Sequence, residues 1–169
     1  RMLRLQGFEN QRRISGPDLM WALCESCAAE GLPIYCYGSA DETLTLLEQR
    51  LCIAFPALKM TFESPPFRAL TAEEDAAAVE RINASGAGLV FVGLGCPKQE
   101  RWMAEHRGRV QAVMLGVGAA FDFHAGTVTR APEWMRHNGL EWLHRLVSEP
   151  RRLWTRHLVT HTLFVVGAA

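Results

Sequence analysis

Leu89-Val-Phe-Val-Gly-Leu-Gly-Cys-Pro-Lys-Gln-Glu-Arg-Trp102 is a run of buried-type strand residues that passes through a glycine turn straight into polar, helix-starting residues. Gly93 and Gly95 let the backbone come close to a guest, Pro97 suits the first helical position, and the unpaired N–H groups of a helix start favour an anion. A second stretch repeats the arrangement: Val113-Met-Leu-Gly-Val-Gly-Ala-Ala-Phe-Asp-Phe-His-Ala-Gly126 is an apolar strand emptying into glycines, with Asp122 and His124 placed beyond its end. In an open parallel sheet, ligands sit outside the carboxyl ends of the strands, so the two corners are expected to share one crevice.

Working outward, residues 17–30 read as a helix with the apolar stripe Met20, Leu23, Cys24 and Cys27 and a glycine stop at Gly31. Pro33 to Tyr37 reads as a strand, Gly38 to Glu42 as a strand-to-helix turn, and Leu44, Leu47, Leu51 and Phe55 as the buried face of the next helix. Gly38 and Ser39 either line the crevice or serve as an ordinary turn and helix cap. Leu58 to Phe62 is a short strand; paired Pro65 and Pro66 enforce a loop after it, and Thr71 with Glu74 forms a capping-box start for a helix to about Asn83. Strands and helices alternating at this spacing imply parallel pairing, hence an α/β, Rossmann-like, mostly parallel sheet with flanking helices. From Ala131 strand signals vanish, and Trp134, Leu140, Trp142, Leu146, Trp154 and Leu158 recur at helical intervals. The division is therefore residues 1–130 as an α/β domain and residues 131–169 as a helical C-terminal appendage, broken at Pro150. The chain opens on Arg1 in mid-pattern, so a fragment lacking N-terminal strands is the expectation.

Composition excludes several classes of function. With 169 residues and 49% hydrophobic content a real core is assured. Eighteen basic and eighteen acidic residues cancel, which leaves no global field for nucleic acid. The five cysteines suggest reduced thiols in a cytoplasmic setting. Cys24 and Cys27 form a CxxC pair with no second pair at zinc-site spacing, so they read as buried helix residues. The longest apolar run, Leu163 to Ala169, is far short of the roughly 20 residues that span a bilayer.

Candidate roles follow from residue chemistry. Gln99, a neutral amide just inside a glycine turn, has both a donor and an acceptor for a sugar hydroxyl or a base edge. Asp122, between Phe121 and Phe123, needs a donor that either a nucleotide or a backbone turn supplies. Lys98 suits a phosphate oxygen or a solvated first-turn position, Glu100 suits the helix dipole, and His124 suits packing more than catalysis or metal binding. The tail carries Arg151, Arg152 and Arg156 with no acid after them; beside its aromatic residues they suit either core docking or an anionic bilayer interface. Gly93-x-Gly95 and Gly116-x-Gly118 each lack the third glycine of a dinucleotide fingerprint, which counts against an NAD(P)-dependent oxidoreductase.

Several motifs in order carry a resemblance: Arg13-Ile-Ser-Gly-Pro-Asp-Leu19, Gly93-Leu-Gly-Cys-Pro-Lys-Gln-Glu100, Gly116 to Gly126, Arg130-Ala-Pro-Glu-Trp134, and Leu140 to Leu153. Across about Arg13 to Leu158 the chain resembles the WecG/TagA/CpsF family of bacterial glycosyltransferases. The resemblance implies inverting transfer of a sugar from a UDP-sugar to a polyprenyl-diphosphate-linked saccharide in cell-surface polysaccharide synthesis, with no cofactor and no obligatory metal. It implies a peripheral location on the cytoplasmic face of the cell membrane. By position it implies that Gln99 and Asp122 belong to the nucleotide-sugar pocket, Arg13 lies near the diphosphate, and Arg145, Arg152 and Arg156 complete the site from the tail. Gly38, Gly95, Lys98 and Gly118 complete the expected substrate-binding set. The base is expected in a segment upstream of Arg1, so a catalytically incomplete nucleotide-binding or scaffolding module is the alternative. A sheet edge left bare would favour a homo-oligomer.

Overall fold

The computed structural model describes Gly7 and residues 14–132, 134–135 and 140–148. The chain divides into two compact units, Arg1–Val128 and Thr129–Ala169.

In the first unit the elements alternate as the apolar periodicity requires: α1 (Gly16–Glu30), β1 (Ile34–Gly38), α2 (Asp41–Ala54), β2 (Met60–Glu63), α3 (Ala72–Ala84), β3 (Leu89–Gly93), α4 (Lys98–Glu105), β4 (Val113–Gly116) and α5 (Ala120–Ala125). Gly31 ends α1 in the left-handed conformation, and Thr71 and Glu74 start α3 with the reciprocal capping box. Two details depart from the sequence reading. Pro97 stands at the N-cap of α4 and not inside its first turn, and the segment carrying Asp122 and His124 is the short helix α5.

The four strands form an all-parallel sheet in the order β2-β1-β3-β4, a Rossmann-like arrangement. Successive strand residues face opposite sides, and both sides are covered. Ile34, Cys36, Leu89 and Phe91 pack with α1, α2 and α5, while Tyr35, Tyr37, Val90 and Val92 pack with α3 and α4. Cys24 and Cys27 lie in the first of these cores as free thiols, and burial pushes the Cys24 thiol up to about 12, with Cys27 adding to the effect. The chain runs from β1 outward to β2 and then returns to the other side of β1 for β3. The direction of winding therefore reverses between β1 and β3, and the crevice of such a sheet opens at the carboxyl ends of those two strands. At the sheet margin Val113 of β4 is exposed, and the outer edge of β4 pairs with no strand among the described residues.

In the second unit α6 (Glu141–Ser148) is helical and begins with Leu143 and His144 N–H groups donating to the Leu140 carbonyl. No helix among the described residues is long and apolar enough to cross a membrane.

Candidate functional site

Three strands, β1, β3 and β4, end in glycine, and each glycine is closely approached by a neighbour. Gly38, at φ +121°, sits so close to β3 that a Cβ there would lie 2.6 Å from the Gly93 carbonyl carbon. A Cβ on Gly93 would meet the Phe121 ring at 2.5 Å, and one on Gly116 would meet the Gln99 Nε2 at 2.8 Å. The space at Gly93 is thus filled by the buried Phe121 ring of α5, and the room expected there for a guest is used for packing. Ser39, the next residue of the β1 turn, holds a left-handed φ of 69° that a non-glycine residue adopts only under constraint. Its carbonyl accepts a hydrogen bond from Ser64 Oγ at 2.8 Å, tying the β1 turn to the loop after β2. The helix cap expected of Ser39 falls instead to Ala40, which has no capping side chain.

Gln99 joins the two glycine corners. It is 6% exposed; its Oε1 accepts the Gly118 N–H at 3.0 Å and its Nε2 donates to Glu100 Oε1 at 3.0 Å. Its backbone N–H closes the turn by donating to the Gly95 carbonyl at 2.9 Å. The side chain therefore holds the β4 turn, where Gly118 has φ +57°, against the start of α4. The Gly118 N–H is spent on Gln99, so the tie fixes the shape of the β4 turn.

Asp122 lies in the first turn of α5, half-buried, and its carbonyl accepts from the Thr127 N–H at 3.1 Å. It follows directly on Phe121, whose ring packs against Gly93. His124 is a packing residue. Its Nε2 donates to the Pro17 carbonyl at 2.9 Å and its ring stacks on Trp21 with centroids 5.1 Å apart, which fastens α5 to α1.

Lys98 and Gln99 are adjacent in sequence but about 100° apart around α4. Gln99 faces the β4 turn, whereas Lys98 lines a separate groove of about 390 Å³ between α3, α4 and the loop at Pro65 to Leu70. The groove's floor holds a cluster that the sequence reading did not single out. His106, 2% exposed, meets the Trp102 carbonyl through Nδ1 at 2.7 Å and Asp75 Oδ1 through Nε2 at 2.8 Å. Both partners are acceptors, so the ring satisfies both only when both nitrogens carry protons. Arg109 reaches the other Asp75 oxygen at 2.8 Å. Burial works to raise the Asp75 carboxyl, but the hydrogen bonds from Arg109 and His106 outweigh it and hold it below its usual range. Trp102 stacks with two rings, Tyr37 with centroids 4.7 Å apart and His106 at 4.0 Å. The only sequence signal for this cluster is the i, i+4 spacing of Trp102 and His106, which an ordinary helix face shares.

Of the remaining expected residues, Gly95 sits in the β3 turn at φ +79°. Arg13, Arg152 and Arg156 lie outside the described residues, and Arg145 falls within α6 with its side chain outside them. The model of the Glycosyl transferase WecG/TagA/CpsF family matches residues 1–169, the whole of the sequence. With glycine-tipped parallel strands converging at the reversal of winding and a match of that extent, the chain belongs to the WecG/TagA/CpsF family of glycosyl transferases.

Proposed function

We propose that this protein is an inverting glycosyltransferase that moves a sugar from a UDP-sugar to a polyprenyl-diphosphate-linked saccharide at the cytoplasmic face of the cell membrane. The observation that carries the reading is the hydrogen bond from Gly118 N–H to Gln99 Oε1. It ties the turn after β4 to the start of α4 at the carboxyl ends of the strands, the side on which open parallel sheets receive ligands. In this reading Gln99 positions the turn that receives the nucleotide, and the Asp122 carboxylate accepts hydrogen bonds from uracil or ribose. The departing diphosphate is held by N–H groups at the Gly95 turn and the start of α4. Arg13, Arg145, Arg152 and Arg156 supply the bidentate donors that phosphate oxygens favour. Membrane attachment is peripheral in this proposal, through the arginine-rich tail beyond Pro150.

Thermal denaturation with UDP in the presence of EDTA tests the reading. At a UDP concentration of 100 Kd, binding to the folded state alone contributes about 2.7 kcal/mol. The increment should appear in the parent chain and vanish in Asp122→Ala. A parent chain whose melting temperature is unmoved by millimolar UDP, with or without metal, would overturn the proposal.

A further inference from the structure

We propose that the corner between β1 and α2 determines which sugar the donor carries: the side-chain hydroxyls of Ser39 and Thr43 hydrogen-bond the hexose of the UDP-sugar. The proposal rests on the transferase reading above and adds to it the two residues that tell a UDP-sugar from UDP.

The corner stands at the carboxyl end of β1, where the winding of the sheet reverses. Gly38 abuts the Gly93 backbone there, and Ser39 follows in the left-handed conformation at φ 69°. Glycine adopts that conformation freely and serine does not, so the chain keeps a hydroxyl at this position despite the strain. The hydrogen bond from Ser64 Oγ to the Ser39 carbonyl holds the turn in place. That bond uses only the main chain of Ser39, and its side-chain hydroxyl has no partner among the described residues.

Thr43 supplies an independent observation. It lies in the first turn of α2 and is 9% exposed, yet its hydroxyl has no hydrogen-bond partner among the described residues. The Tyr37 hydroxyl and the Trp102 indole N–H are orphaned and sealed, whereas the Thr43 oxygen keeps an opening to the exterior. Side chains tilt toward the start of their helix, and α2 runs back from the end of β1, so the Thr43 hydroxyl is aimed at the crevice. The start of α2 has no capping side chain, which leaves N–H donors beside the two hydroxyls, but Asp41 and Glu42 in the same turn repel an anion. A neutral polyol satisfies both conditions and a phosphate does not. Strand order separates the hexose from the ribose. With β1, β3 and β4 side by side at about 4.8 Å spacing, Asp122 after β4, the Gly95 turn after β3 and Ser39 after β1 stand in a row. Nucleoside, diphosphate and hexose follow one another in that order in a UDP-sugar.

The test is isothermal titration calorimetry of the full chain with UDP, UDP-glucose and UDP-N-acetylglucosamine. The parent should bind one of the two UDP-sugars about fivefold or more tightly than UDP. Ser39→Gly relieves the left-handed backbone, and Thr43→Val keeps the side-chain bulk while losing only the hydroxyl. Neither change removes a protein hydrogen bond, so both variants should stay folded with UDP affinity unchanged. Each should nonetheless weaken the preferred UDP-sugar by about fivefold. If the parent binds UDP but neither UDP-sugar more tightly, or if either variant keeps the parent's ratio of UDP-sugar to UDP affinity, the assignment is overturned and the donor reading stands. Equal weakening of UDP and the UDP-sugar also overturns it, because the hydroxyls then serve the nucleotide. A parent that binds neither UDP nor a UDP-sugar removes the donor reading and this assignment with it.

Discussion

Replacing Gln99 by leucine is the sharpest probe of how the two corners are held. Leucine fills much of the same buried volume but offers no acceptor, so the Gly118 N–H loses the partner it now has at 3.0 Å. A stranded buried donor costs about 1–3 kcal/mol; Gly118 is only half-buried, which places the loss in the lower part, about 1–2 kcal/mol. For a chain of this size each kcal/mol moves the melting temperature by about 2–4 °C, so a fall of roughly 2–8 °C is expected by differential scanning calorimetry. The UDP increment should be lost with it, since the turn that receives the ligand is no longer fixed. Gln99→Glu separates tie from bulk: an acceptor for Gly118 remains, but a carboxylate now faces Glu100 where an N–H donated before. That variant should be destabilised at neutral pH and regain stability as the pH falls and either carboxylate protonates. If Gln99→Leu melts within 1 °C of the parent and keeps its UDP increment, the amide is not what joins the corners and the site must be reassembled on other contacts.

Three further outcomes are expected. Gly38→Ala sets a new methyl against the Gly93 backbone, which has no rotamer to yield, in a conformation alanine resists, and should cost about 3 kcal/mol or more in urea unfolding. Gly116→Ala meets only the movable Gln99 and Met103 side chains and should cost about 1 kcal/mol; equal losses in the two variants would contradict the packing described. The Asp75 carboxyl is held below its ordinary value of 3.8, so its contribution is fully present above that pH and is lost as pH falls through the lower folded value. Asp75→Asn should therefore be less stable than the parent at pH 7 and show a shallower decline below pH 4. A decline as steep as the parent's would remove the cluster from the acid limb. Changing Arg151, Arg152 and Arg156 together to alanine removes about 1 kcal/mol of attraction per residue, and sedimentation with vesicles rich in anionic lipid should show roughly a hundredfold weaker binding. Unchanged sedimentation would transfer membrane attachment to another part of the chain.

Much of the architecture was legible from residue order because its causes are local. The Thr71 and Glu74 spacing is itself the capping box, Gly31 marks a left-handed stop, and the alternation of apolar runs with helical stripes leaves parallel pairing as the economical solution. The two glycine corners and the candidacy of Gln99 and Asp122 were also visible, since a glycine turn after a buried strand is a one-dimensional signal. What those residues touch was not. Strand order is a property of how the sheet is wound, so nothing in the linear pattern told that the β1 and β3 ends, Gly38 and Gly93, would meet back to back.

The same distinction explains the rest. Gly93 reads as clearance for a ligand until the Phe121 ring, 28 positions later, is found in that space, and Lys98 reads as a neighbour of Gln99 until the turn of the helix sends the two side chains to different sides. His106 and Asp75 are 31 residues apart and carry no shared motif; only the packing of α3 against α4 makes them one buried cluster. Secondary structure, the covering of both sheet faces and family membership were written in the order of the residues, because periodicity and motif spacing act over a few turns or along the whole chain. Which side of each turn meets a partner, and hence which polar atoms are already engaged and which are left for a ligand, was decided by long-range packing, because that depends on distances between segments that the chain order does not specify.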